Sequence, residues 1–189
     1  MATVRLILAS AVLAALPVVA EAANRSVYTD LVLDKCKSLP VDPEDPVANG
    51  RWRCRGYGGI DVFVDQSDER TTVSYGKKPD DEPAAGQTMP SFNHVGEKLE
   101  WRLDAKNRPI ATILRFITEP DQAPKGSTLV VTRLGSPGSI CWVGRVDAVA
   151  NPDANEIARA VADNFAADFP CGDKEPVDYG VDGEPVERD

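Results

Sequence analysis

Between Glu97 and Asp104 the chain alternates. Leu99, Trp101 and Leu103 are apolar, and Glu100, Arg102 and Asp104 stand between them. This period of two is the mark of a strand with one buried face. Residues 110–118, opened by Pro109, are apolar at both parities and predict a central strand. Residues 127–134 and 139–147 flank Gly135-Ser136-Pro137-Gly138, a hairpin signal. Upstream, residues 60–65 alternate Ile/Val/Val with Asp/Phe/Asp. The segment Gln66-Ser67-Asp68-Glu69 turns the chain and residues 70–75 return, a second hairpin. Leu31-Val32-Leu33, leading to Cys36, and residues 51–55 also read as strands. A helical period occurs late. Ile157, Val161, Phe165 and Phe169 recur every four residues with Ala158 and Ala162 beside them, which predicts one apolar face. Asp153 and Glu156 have capping-box spacing before it, and Pro170 stops it. The pattern predicts an α+β fold: a meandering antiparallel sheet of about six to eight strands with one C-terminal helix packed on it.

Three segments break the pattern. Residues 40–50 and 77–90 are rich in Pro and Asp and predict loops. The second is long, and with Met89, Phe92 and His94 at its end it is a candidate recognition loop. Residues 173–189 are acidic without an apolar period and predict a flexible tail. At the other end, a short n-region ending at Arg5 precedes an apolar run to Ala20 and the small-x-small triplet Ala20-Glu21-Ala22. This is the layout of a secretory signal peptide over residues 1–22. The apolar run is shorter than the roughly 20 residues of a membrane span, and no later segment approaches that length. The expected organisation is a signal peptide over 1–22, a single α+β domain over 23–172 and the tail. The expected location is periplasmic or secreted, with no membrane span in the mature form.

Charge and cysteines narrow the chemistry. The formal net charge is −9. Such a surface disfavours nucleic acid, whose binding depends on neutralising phosphates, and suits attraction to a basic partner. The four cysteines, Cys36, Cys54, Cys141 and Cys171, imply two disulfides in an exported chain. Of three possible pairings, Cys36–Cys54 and Cys141–Cys171 join cysteines near in sequence and close modest loops. No C-x-x-C is present and His94 is the one histidine, so no metal site and no cofactor is expected. No serine sits in G-x-S-x-G, and paired cysteines leave no thiol nucleophile. A non-enzymatic protein is the first expectation. An enzyme using paired carboxylates on a cell-wall glycan and a structural protein of envelope stress are the alternatives.

One stretch stands out against the net charge. In Arg51-Trp52-Arg53-Cys54-Arg55 the arginines share one strand face, and Trp52 and Cys54 share the other. A Cys36–Cys54 bridge between neighbouring antiparallel strands sets Lys37 opposite Arg53 and Lys35 opposite Arg55. Five cations would then share a face, and like charges directly opposite are destabilising. Asp42, Glu44 and Asp45 in the connecting loop are the expected internal partners, and an external anion is the other solution. The candidate binding residues are Arg51, Arg53, Arg55, Lys35 and Lys37, with His94 on the long loop. The expected partner is a basic protein, in an inhibitor-like role, or an anionic envelope ligand.

Four segments resemble a group of small exported, functionally uncharacterised proteins of alphaproteobacteria. They are Tyr28-Thr29-Asp30-Leu31 before Cys36; Trp52-Arg53-Cys54 with Gly56-Tyr57; Cys141-Trp142-Val143-Gly144-Arg145-Val146-Asp147-Ala148; and Asn155-Glu156-Ile157-Ala158-Arg159 through Phe169-Pro170-Cys171-Gly172. The resemblance spans most of the mature chain and implies a periplasmic home. It carries no activity and no catalytic residue.

Overall fold

A computed structural model describes residues 24–44, 46–120 and 123–186. The signal peptide proposed over 1–22 lies outside the described residues. The expected α+β fold forms, with its meander divided between two sheets. The first strands are β1 (Arg25–Asp30), β2 (Lys37–Ser38), β3 (Ala48–Arg55), β4 (Asp61–Ser67) and β5 (Arg70–Tyr75). After the long connection come β6 (Asn93–Leu103), β7 (Pro109–Thr118), β8 (Gly126–Arg133) and β9 (Cys141–Asp147). The helix α1 (Ala154–Phe165) follows, then β10 (Val177–Tyr179) and β11 (Pro185–Val186). Seven strands form one sheet in the order β1-β6-β7-β8-β9-β10-β11, and four form a second in the order β2-β3-β4-β5. All pairs are antiparallel except β9–β10.

The large sheet is covered on both faces. Leu99, Trp101, Leu103, Leu114, Phe116, Val130 and Trp142 meet Val62, Val64, Val73 and Tyr75 of the small sheet in one core. Trp101 packs edge-on to Tyr75, and Phe116 edge-on to Trp142. The Trp101 Nε1–H donates to Thr29 Oγ1 at 2.8 Å, so the indole is buried with its polar atom satisfied. Thr112 donates to the Tyr75 hydroxyl at 2.9 Å. Burial pushes that phenol up to about 12. On the opposite face Ala111, Ile113, Leu129, Val131 and Val143 pack against Ala154, Ala158, Val161 and Ala162 of α1. The small residues on the helix let it sit close to the sheet. The expected apolar face is therefore shifted: Phe165 is 51% exposed at the helix end, while Ala166 and Phe169 are buried beyond it. Asp153 occupies the N-cap without a side-chain cap bond.

Covering both faces buries charge. Glu100 and Arg102, on the polar parity of β6, are each only 6% exposed because α1 lies over them. Arg159 donates to Glu100 at 2.7 Å, and the Ser26 hydroxyl donates to the same carboxylate. Arg102 grips Asp163 with two bonds of 2.9 and 2.5 Å and donates to Ser26 Oγ at 2.6 Å. The Glu100 carboxylate holds the Arg159 guanidinium well above its ordinary range. This network ties β1, β6 and α1 together, and each buried ion has a charge-assisted partner.

Two segments that lack an apolar period, the long loop and the acidic C-terminal stretch, are built into the fold. Residues 77–90 form 3₁₀ turns at Pro79–Asp81 and Pro83–Gly86 around Glu82, which is 5% exposed. The Glu82 carboxylate accepts the N–H groups of Gly138 and Ile140, each at 3.0 Å. Gln87 Oε1 accepts the Trp142 N–H at 2.7 Å. The loop thus supplies the acceptors that the β8–β9 hairpin would otherwise lack. The acidic segment expected as a flexible tail over 173–189 instead adds β10 and β11 to the sheet edge within 177–186. Arg145, 8% exposed, pairs with Asp178 through bonds of 2.7 and 2.9 Å. A period of three or four residues is too short to register as an element when most of its order comes from partners distant in sequence.

Cys36–Cys54 and Cys141–Cys171 are both bonded, as the sequence spacing predicts. Two disulfides fit an oxidising, extracytoplasmic environment. No helix among the described residues is long and apolar enough to cross a membrane.

Candidate functional site

The arginine strand is β3. It pairs with β2 so that Lys37 faces Arg53 and Ser38 faces Trp52. One step further, Cys36 and Cys54 come together with 4.6 Å between their Cα atoms. The register expected from the disulfide therefore forms at Lys37. Lys35 sits in a short 3₁₀ turn, Leu33–Lys35, and not in a paired strand. That turn also removes the conflict that a straight strand would have created by placing Leu31 and Leu33 on the cationic face: Leu31 is 2% exposed.

The arginines meet carboxylates, but from the next strand and not from the loop before them. In the β3–β4 register Arg51 faces Asp65, Arg53 faces Phe63 and Arg55 faces Asp61. Arg51 lies 3.0 Å from Asp65 and also pairs with Asp80 from the long loop. Arg53 reaches diagonally to Asp61 and lies 6.0 Å above the Phe63 ring. Burial pushes the Asp65 carboxyl up against the pull of Arg51, and the Asp80 charge adds to the rise. The expected partners fall out of this arrangement. Asp42 accepts the Glu44 N–H at 2.9 Å, and neither makes a salt bridge among the described residues. Asp45 lies outside the described residues. The signal for the true partners was present: R-x-R-x-R and D-x-F-x-D both have strand period, and a Gly-rich turn joins them.

The remaining cations surround a cleft. Its volume is about 520 Å³, and Lys35, Lys37, Arg53 and Arg55 line it together with Asp30 and Asp61. Cys36, Cys54 and Val32 also contribute to its wall. Asp30 is held by Lys98, whose hydrogen bond and charge keep its carboxyl below the usual range. Asp61 is held by Arg53. Lys35, Lys37 and Arg55 are exposed and make no salt bridge among the described residues. The cleft thus has an excess of positive charge in a molecule of net charge −9. The disulfide fixes the two strands that carry it.

The structure separates the other candidates from this cleft. Arg51 belongs to the Asp65–Asp80 group. His94 is exposed at the start of β6 and lines a different cleft of about 280 Å³ with Glu69 and Glu119. Lys125 already holds Glu119 and lowers its carboxyl. Sequence reasoning missed Asp30 and Asp61 as members of the cationic cleft. Asp30 comes from a different sheet, so no local pattern points to it.

In chemical terms the cleft carries more cationic than anionic side chains. A general acid needs a carboxyl raised toward neutrality, whereas Asp30 is shifted the other way. Among the described residues, no group of three or more His, Cys, Asp or Glu side chains is placed to hold a metal ion. The fold and cleft define a class: a disulfide-stapled α+β protein with a cation-lined cleft at one edge. Compared with protein-family models, curated proteins and solved structures, the chain has no match.

Proposed function

We propose that this is a non-enzymatic binding protein of the periplasm that holds an anionic group of the cell envelope, a phosphate or carboxylate, in the Cys36–Cys54 cleft. The observation that carries this reading is the set of three cations, Lys35, Lys37 and Arg55, gathered without salt bridges on a rigid frame in an acidic protein. Placing an anion among them relieves the like-charge repulsion that the register creates. Arg55 offers a planar fork for two oxygens, and the lysines act as point charges. The basic-partner reading rests on net charge alone, and against the glycan-hydrolase reading stands Asp30, a cleft carboxyl lowered by Lys98.

Calorimetric titration with tripolyphosphate at low salt tests this. We expect binding that weakens steeply with added salt and falls at least about tenfold in the triple variant Lys35→Ala/Lys37→Ala/Arg55→Ala. No binding at low salt, or binding indifferent to the triple substitution, would overturn it. The location is read from the same preparation: export with a mature N-terminus at Ala23 is the expected result.

A further inference from the structure

The cationic cleft has a disulfide in its wall, and that disulfide has an unusual sequence setting. Each of its cysteines stands between two cations: Lys35-Cys36-Lys37 and Arg53-Cys54-Arg55. All four cations line the same cleft as the two cysteines. The second disulfide provides a contrast within the molecule. Cys171 stands near Asp168, Asp173, Lys174 and Glu175 in the sequence, and Arg133 faces Cys141 across the β8–β9 ladder, so charges of both signs surround this bridge. Accessibility does not distinguish the two bridges. Each has one cysteine 2% exposed, Cys54 and Cys141, and one half-buried, Cys36 and Cys171. Charge does distinguish them.

We propose that Cys36–Cys54 is an exchange site for anionic thiols, which the cationic cleft draws in and the mixed charges around Cys141–Cys171 do not. The incoming thiolate attacks the Sγ of Cys36, the half-buried cysteine between the Leu33–Lys35 turn and the short edge strand β2. A bond forms between the thiol sulfur and Cys36, the Cys36–Cys54 bond breaks, and Cys54 leaves as a thiolate. A second thiolate attacks the sulfur of the first, releasing the Cys36 thiolate and a disulfide of the two small thiols. Two thiols are oxidised and the protein disulfide is reduced. The reactant is an anionic low-molecular-weight thiol, one carrying a carboxylate. The cations act twice. They raise the local concentration of the anion, and they stabilise the departing thiolate charge.

The inference uses the cleft named above but not its occupancy by a stable ligand. The test is kinetic: the protein is incubated with thioglycolate, an anionic thiol, or with cysteamine, a cationic one. The products are alkylated and mapped peptide by peptide, which gives a rate for each disulfide with each thiol. Comparing the thioglycolate-to-cysteamine ratio at the two bridges cancels the intrinsic reactivity of each reagent. We expect that ratio to be roughly tenfold higher at Cys36–Cys54 than at Cys141–Cys171 in low salt, and to converge in molar salt. The first adduct is expected on Cys36. Lys35→Glu/Lys37→Glu should reverse the preference at this bridge alone. Equal ratios at the two bridges, or a first adduct on Cys54, would overturn the proposal. If the double variant does not fold, the salt series on the native protein decides. An absent tripolyphosphate titration with a preserved thiol preference removes the ligand reading and leaves the exchange site standing; the converse result does the opposite.

Discussion

At Glu82 a single carboxylate does what a strand would otherwise do. It sits 5% exposed and accepts N–H groups from Gly138 and Ile140 across the end of the β8–β9 hairpin. Removing it strands those donors in a dry place, which costs more than the bonds themselves contribute. Glu82→Ala is therefore expected to destabilise by about 3 kcal/mol in urea denaturation. Arg55→Ala is expected to change stability by less than about 0.5 kcal/mol, since Arg55 is exposed and makes no salt bridge among the described residues. Equal effects would mean that Arg55 serves the fold and not the cleft. Residue type alone placed neither side chain. Glu82 looks like one acid in a run of three, Asp80-Asp81-Glu82. Its two neighbours stay outside, where Asp80 pairs with Arg51 and Asp81 with Lys78.

Elements were legible in proportion to their periodicity. The hairpins β4–β5, β6–β7 and β8–β9 and the helix α1 follow from patterns of two and of four, and their pairing follows from short connections. The turn at Asp68-Glu69 is tight enough to hold both residues at positive φ, 52° and 55°. At Gly56 the backbone must come close: a Cβ there would stand 2.4 Å from the Ile60 carbonyl oxygen and 2.5 Å from Trp101. That glycine is a packing requirement at the end of β3. The elements β10 and β11 were not legible. Their stability comes from pairing to β9 and from the bond between Asp178 and Arg145. A chain ended after Pro176 is expected to lose about 2–4 kcal/mol, because it uncovers the edge of β9 and leaves Arg145 without Asp178. Urea denaturation of the truncated chain checks this; an unchanged midpoint would restore the flexible-tail reading.

Across the whole molecule, charge and burial act in opposite directions on stability against pH. Asp30, Asp104 and Glu119 are lowered by their cationic or N–H partners. What they contribute is present above the unfolded carboxyl values and is lost as pH falls through their folded values. Asp65 is raised by burial. Through the window above 3.8 the native state therefore holds the extra proton at this site, and the Asp65 contribution to stability declines as pH rises. Unfolding free energy measured from pH 3 to 7 should show this. The value for the native protein minus that for Asp65→Asn should fall with increasing pH across the window. A difference that rises with pH would mean that Arg51 outweighs burial.

The amino-acid sequence determined the α+β class, the strand hairpins, the helix, the two disulfides and the presence of a cationic strand. Each of these depends on periodicity or on residues close together in the chain. The tertiary structure alone decided which carboxylates meet the cations. Asp65 and Asp61 come from the next strand, Asp80 from a loop and Asp30 from the other sheet. It also decided that the polar face of β6 is buried under α1, because alternation marks the two faces of a strand but not how many of them the fold will cover. Charge pairing acts through space at a few ångströms and is indifferent to sequence separation. The arginine strand could be read from the chain; which of its cations would be neutralised, and which left facing a cleft, could be read only after the strands had found their neighbours.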